Sequence, residues 1–239
     1  MLETLIKLNS SRAGHDKILR TLQYSCRLIL ASGSKTERLS SILAHISSSR
    51  KFLRLGTCVD ALYSSFSSVS NPDPVVRFLV TLSRIAGAMF LFSDHLIWCN
   101  NFKLFTINYR LWANISDKCW LYSVILSLSR DLYELNLIFE NLYKDPDVAW
   151  LINNRPGLVL DTVKNMTDIF LPLAALGKKF DGKIIFMMTM IVQCSGYFKA
   201  PGLVAFCGII SSVSAALQII KPKLKLWFKM HFWFTQSYS

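Results

Sequence analysis

An all-α, membrane-associated helical bundle with amphipathic surface helices and a C-terminal transmembrane helix is the architecture this sequence predicts, and three observations lead to it. Hydrophobic residues make up 52% of 239 positions against 18% charged, and the mean hydropathy is +0.34, above that of an ordinary water-soluble domain. Lys and Arg outnumber Asp and Glu by 27 to 15, a net charge of +12, so the surface attracts something anionic. Sixteen Phe and 6 Trp stand beside only 10 Gly and 7 Pro, with apolar residues recurring every three to four positions, which is helical spacing. Apolar and basic character together select a membrane before nucleic acid. The basic residues of the first half are spread over helices without a groove-binding motif, and no nucleic-acid partner is expected.

Residues 1–71 read as an N-terminal amphipathic region. Ile18, Leu22, Cys26 and Ile29 share one helical stripe, with Lys17, Arg20 and Arg27 on other faces. From Leu39 to Phe66 the pattern stays helical while the stripe moves: Leu39, Ile42, Leu43 and Ile46 form one face, and Phe52, Leu55, Val59, Leu62 and Phe66 form nearly the opposite one. The switch falls beside Arg50 and Lys51, and Arg54 follows on the cationic side. Such a helix lies in a bilayer surface by wedging its apolar side chains among lipids while the cations meet anionic headgroups. The candidate membrane-binding residues are therefore Arg50, Lys51, Phe52, Arg54, Leu55, Val59, Leu62 and Phe66. The same stripe would equally serve as the core face of a bundle, and spacing alone leaves both readings open.

Residues 72–155 read as a central hydrophobic helical hairpin. Asp73 before Pro74 is a good N-cap and first-turn pair, so a helix is expected to begin there. Arg77, Arg84 and Asp94 interrupt the apolar run from Val75 to Cys99, each costing ~3 kcal/mol at a bilayer centre. A half-immersed helix with its polar side wet accommodates them. So does a channel for small metabolites, because ionisable residues in apolar helices often line water, and Arg130 joins that set. Lys118–Tyr143 forms the second arm, with Arg130 and Glu134 at i, i+4. Turns are expected at Asp145–Asp147 and Asn153–Gly157.

Residues 156–239 comprise a further helix, a membrane anchor and a basic tail. Val159, Val163, Met166, Phe170 and Leu173 line up on one amphipathic helix that Gly177 suits as a C-terminal cap. Two uncharged stretches follow, Ile184–Phe198 and Ala200–Ile220, and only the second is long enough at 1.5 Å per residue to cross ~30 Å. Its small residues, among them Gly202, Gly208, Ser211 and Ala215, permit close helix contact and self-association into a homo-oligomer. Lys221, Lys223, Lys225 and Lys229 place the tail in the cytosol by the positive-inside tendency.

No catalytic residue, cofactor or metal site is expected, and the chain does not read as an enzyme. Phosphate-binding, dinucleotide, zinc-protease and nucleophile-elbow motifs are absent, and His15, His45, His95 and His231 stand apart. The six cysteines are scattered singly and read as reduced apolar residues. Charges at Glu3, Lys7, Arg12 and Asp16 leave no apolar run for a cleavable secretory signal.

Several segments resemble the peroxin-11 family, also called peroxisomal membrane protein 11. Gly14–Ile29 resembles its opening helix, Ile46–Leu62 its surface-binding amphipathic helix and Phe92–Trp98 its central hydrophobic segment. Ser127–Leu135, Asp161–Gly177 and Gly202–Leu217 continue the series in family order, and the Arg-Lys-x-x-Arg-x-Gly core from Arg50 to Gly56 is the most telling. Two segments depart from it: Lys178–Pro201 looks like an insertion and Trp227–Ser239 like an aromatic extension. The resemblance implies residence in the peroxisomal membrane with both termini cytosolic, and self-association. It further implies elongation of the organelle and recruitment of a dynamin-type GTPase with its adaptors before fission.

Overall fold

Local chemistry sets several of the helix starts. In the computed structural model, which describes Ile6 and residues 8–33, 37–141, 148–177 and 200–220, every regular element is an α-helix. Helix α1 (Arg12–Ala31) begins where Ser11 Oγ accepts the Gly14 N–H at 3.0 Å. Helices α2 (Glu37–Leu53) and α3 (Thr57–Ser68) replace the single run read from the sequence. The chain turns at Arg54–Gly56, and Gly56 takes φ +81°, a left-handed conformation that favours glycine. The break falls just after Arg50 and Lys51, where the apolar stripe changes face, so that Phe52 precedes it, Leu55 lies within it and Val59, Leu62 and Phe66 follow it.

Helix α4 (Pro74–Asn101) starts as expected, the Asp73 carboxylate accepting the N–H groups of Val75 at 2.8 Å and Val76 at 3.2 Å. Helix α5 (Tyr109–Asn141) starts ahead of the expected Lys118, at a turn where Asn108 Oδ1 accepts the Leu111 N–H. A short α6 (Val148–Asn154) occupies part of a region read as turns. The amphipathic helix expected over Val159–Leu173 is two, α7 (Pro156–Asp168) and α8 (Phe170–Gly177). Pro172 explains the division, since it lacks the N–H that would bond the Asp168 carbonyl. Helix α9 (Ala200–Ile220) has the expected bounds. The 184–198 stretch, the turn at 145–147 and the lysine-rich tail after residue 220 lie outside the described residues.

Helices α4 and α5 pair as a hairpin, α3 packs back along α4, and α9 lies against α1 and α7. The hairpin is joined by hydroxyls and rings. Ser83 and Ser123 each donate to the other's carbonyl, at 2.9 and 3.0 Å, Ser127 adds a hydroxyl contact to Ser83 at 2.7 Å, and Phe90 stacks on Trp120. Around α9, a small apolar core of Tyr24, Leu171 and Cys207 is flanked by polar ties. Arg20 donates to Asp168, which also accepts from Ser211 Oγ at 2.6 Å, and Gln218 Nε2 donates to Asp161 at 2.8 Å. Asp131, fully buried, accepts from Asn165 at 2.6 Å.

The outward faces are apolar by contrast. Phe78, Leu82, Ile85, Met89 and Phe92 are exposed along α4, as are Phe206, Val213 and Leu217 along α9. Charges and hydroxyls inside with large apolar side chains outside is the arrangement a lipid surrounding stabilises and water penalises. Among the described residues two helices are long and apolar enough to cross a membrane, α4 and Gly202–Ile220 of α9. The anchor read at the C-terminus is thus joined by a second candidate, despite Arg77, Arg84 and Asp94 within it.

Gly208 lets α9 approach α1 closely. A Cβ built there would lie 2.4 Å from the Tyr24 ring, whereas at Gly87 it would meet only Ser123 Oγ at 3.3 Å. Gly208→Ala is therefore expected to destabilise the chain by ~1–3 kcal/mol through overpacking. Gly87→Ala should cost far less, and thermal unfolding in detergent micelles compares them.

Candidate membrane interface

The eight residues singled out from the sequence gather around the α2–α3 turn. Arg50, Lys51 and Phe52 close α2, Arg54 and Leu55 occupy the turn, and Val59, Leu62 and Phe66 follow on α3. The apolar members are open to the surroundings: Phe52 is 58% exposed, Val59 64%, Leu62 43% and Phe66 73%, with Leu55 half-buried. Within the described residues this stripe is not covered by another helix.

The three cations are placed differently from the sequence-based picture of side chains held out beside the stripe. Arg50 Nε donates to Asp16 Oδ1 at 3.0 Å and its guanidinium also reaches Gln23. Lys51 Nζ lies 3.0 Å from Asp94 Oδ1. Arg54 Nη2 donates to Asp94 Oδ2 at 2.7 Å, and Arg54 Nε stands 3.8 Å from Asp16. His95 Nε2 donates to the Arg54 carbonyl at 2.7 Å. Two carboxylates, one from α1 and one from α4, therefore engage all three cations. Burial alone would raise the Asp16 carboxyl, but Lys17, Arg50 and Arg54 outweigh it and hold the group below the usual carboxylate range.

Sequence reasoning missed both carboxylates. Asp16 is 34 residues from Arg50 and Asp94 is 40 from Arg54, separations at which no helical spacing operates. It also missed Tyr63, 78% exposed on the same side of the chain as the stripe, and the tip of the α4–α5 hairpin. At that tip Phe102, Leu104 and Phe105 are exposed, and Phe52, Trp98 and Phe102 form a ring cluster with centroids 5.8 and 4.4 Å apart. The stripe is thus continuous with the tip. The run Phe102-Lys103-Leu104-Phe105 between two apolar helices was the available signal, since aromatic residues favour membrane interfaces.

The ionisable residues that suggested a water-lined path have protein partners, apart from the exposed Arg77. Asp94 is held as described, and Arg84 donates to the Ser64 carbonyl and, at 3.3 Å, to the Ser68 hydroxyl. Arg130 is engaged by Asp131, by Glu134 at 3.9 Å and by Asp161 at 3.6 Å. The cavity beside Arg84 and Arg130 measures about 100 Å³. Among the described residues no three His, Cys, Asp or Glu side chains come together as metal ligands.

Among the described residues, an all-helical bundle with paired charges within, apolar faces without and two helices able to span a bilayer is the architecture of a membrane protein. The chain matches the family model described as Peroxisomal biogenesis factor 11 (PEX11) over residues 2–220, and it belongs to that family. It is 26% identical to peroxisomal membrane protein 11B of Bos taurus over 274 aligned positions covering 94% of this chain and 99% of the relative. It is likewise 26% identical to peroxisomal membrane protein 11A of Homo sapiens, with the same coverage of both chains. A Saccharomyces cerevisiae relative, peroxisomal membrane protein PMP27, is 27% identical over 54% of this chain and 57% of its own length. No solved structure matches the chain.

The Asp16 cluster carries a pH signature. With its folded-state pKa depressed, Asp16 contributes stability at neutral pH that is lost as pH falls below the usual carboxylate value. Asp16→Asn should lower stability by ~2 kcal/mol at pH 7. The difference from the parent should shrink towards pH 3, as followed by melting in detergent across that range.

Proposed function

We propose that this chain resides in the peroxisomal membrane and elongates it before fission, so promoting peroxisome proliferation. The observation that carries the reading is the uncovered apolar stripe Phe52, Val59, Leu62 and Phe66, continuous through Trp98 with the hairpin tip. Its relatives' names place them in the peroxisomal membrane. Inserting such a stripe into one leaflet adds area on that side only, and the bilayer relieves the mismatch by bending. Helix α3 packs antiparallel along α4, Arg54 at its start meeting Asp94 and Ser64 near its end meeting Arg84. The two exposed faces consequently enter lipid together.

On this reading Leu55 and Tyr63 extend the wedge, and Arg50, Lys51 and Arg54 supply attraction to anionic headgroups of ~1 kcal/mol each where they reach them. Helix α9 anchors the chain, both termini face the cytosol, further copies assemble beside it, and a dynamin-type GTPase with its adaptors completes fission. The protein does this work by binding and packing, without a catalytic residue.

Imaging tests the proposal. Expression of a tagged full-length chain is expected to give peroxisomal localisation with elongated or more numerous organelles. A mitochondrial or plasma-membrane pattern with unchanged organelle shape would overturn it. Leu55→Glu with Leu62→Glu should keep the localisation and abolish elongation, because each carboxylate opposes insertion of area contributing ~25 cal/mol per Å². Reconstituted in vesicles, the parent should draw tubules visible by electron microscopy and the double variant should not.

A further inference from the structure

Helix α2 is attached to the bundle in an unusual way. None of its residues is fully buried over seventeen positions, and the apolar face it turns to the bundle, Leu39, Leu43, Ile46 and Leu53, is only half-buried, so its packing is shallow. Its polar ties are gathered at its C-terminal end: Arg50 to Asp16 and Gln23, Lys51 to Asp94, and, just beyond, Arg54 to Asp94 and Asp16. The carboxylates that hold these cations are themselves well enclosed, with side chains 9% and 8% exposed. Immediately after the cluster comes the left-handed Gly56, where the backbone already changes direction between α2 and α3.

We propose that α2 is an electrostatic latch: Asp16 and Asp94 hold Arg50, Lys51 and Arg54 against the bundle, and an anionic membrane surface releases α2 by taking the same cations, with the turn at Gly56 as the hinge. The inference rests on the membrane-directed reading of the stripe. Charge arithmetic supports it. Three cations face two carboxylates, so the closed cluster keeps one positive charge in excess, and Lys17, 3.5 Å from Asp16, adds another. The surplus draws the cluster to anionic lipid before any ion pair breaks. Once headgroup phosphates surround the cations, contacts of cation to carboxylate are exchanged for contacts of cation to phosphate, and the lipid charge has to outweigh the cost of leaving Asp94 without its partners. Asp16 is not abandoned in the released state, because Lys17 stays beside it on α1. Zwitterionic lipid carries its phosphate beside a choline cation, so it presents no net negative charge to draw the cluster and leaves the latch closed. The wedge would thereby be made sensitive to the charge of the bilayer it meets.

The consequence is that removing the two carboxylates should open α2 without any lipid. Backbone hydrogen exchange of the full chain in neutral detergent reads this directly, segment by segment. Asp16→Asn with Asp94→Asn is expected to speed exchange across residues 37–53 by about tenfold, while α9 keeps its protection and so reports an intact bundle. Arg50→Gln with Lys51→Gln, which takes the clustered cations from α2 and leaves Asp94 to Arg54 and Asp16 to Lys17 and Arg54, should speed exchange over the same residues. In proteoliposomes of the parent chain, replacing a fifth of the phosphatidylcholine by phosphatidylserine should speed exchange over the same residues. Unchanged α2 exchange in the carboxylate variant with α9 protected, or in anionic vesicles, would overturn the latch. Should α9 also lose protection in the carboxylate variant, Arg50→Gln with Lys51→Gln decides alone: fast α2 exchange supports the latch and unchanged exchange overturns it. Failure of the stripe reading is separable, since it would show as vesicle tubulation surviving Leu55→Glu with Leu62→Glu whatever α2 does.

Discussion

The ion pair between Arg20 and Asp168 holds the first helix to the last ones. Asp168 ends α7, accepts from Arg20 of α1 and from Ser211 of α9, and so joins three helices at one carboxylate. A charge this enclosed is tolerable only because both partners are present, and removing either would strand the other in an apolar setting. Gln218 with Asp161, and Asn165 with Asp131, repeat the device further along. The close approach at Gly208 and Tyr24 depends on that alignment, because the ring and the glycine meet only when α1 and α9 are in register.

Holding the bundle by polar contacts leaves its outer faces free to be apolar. In water a protein buries its Phe and Leu and displays its Arg and Asp; here Asp131, Ser93 and Ser211 are wholly buried while Phe66, Phe78 and Leu104 are exposed. Lipid reverses the usual preference, since apolar side chains lose nothing outside and polar ones must find partners inside. The same fact that stabilises the assembly therefore prepares its surface for a membrane. Membership of the Peroxisomal biogenesis factor 11 family fits that physical description without being needed to reach it.

The N-terminal helices stand apart from this core in how they are held. Helix α3 has two serines buried against α4, Ser65 and Ser68, but α2 has no buried residue. A helix fixed by charge responds to ionic surroundings, whereas one fixed by packing does not. The chain thus combines a packed region around α9 with a helix, α2, that has ion pairs at its end and no fully buried residue, and the turn at Gly56 separates α2 from the exposed apolar residues of α3.

Composition and spacing were enough to determine the helical class, the start of α4 at Asp73, the apolar helix at Ala200–Ile220 and the apolar stripe from Phe52 to Phe66, because each depends on neighbours within a few residues. The split at Ile169 was also locally encoded, by Pro172, and went unread because apolar periodicity runs straight through it. Tertiary structure alone decided where the charges go. Arg50 and Arg54 look like surface cations along the chain, and only folding brings Asp16 and Asp94 to them. Arg130 pairs with its local Glu134 as its spacing suggests, yet its contact with Asp161 crosses to another helix. The physical reason is range: hydrophobic periodicity is written in consecutive turns, while an ion pair needs only two atoms to meet, and the sequence distance between them is set by how the helices pack.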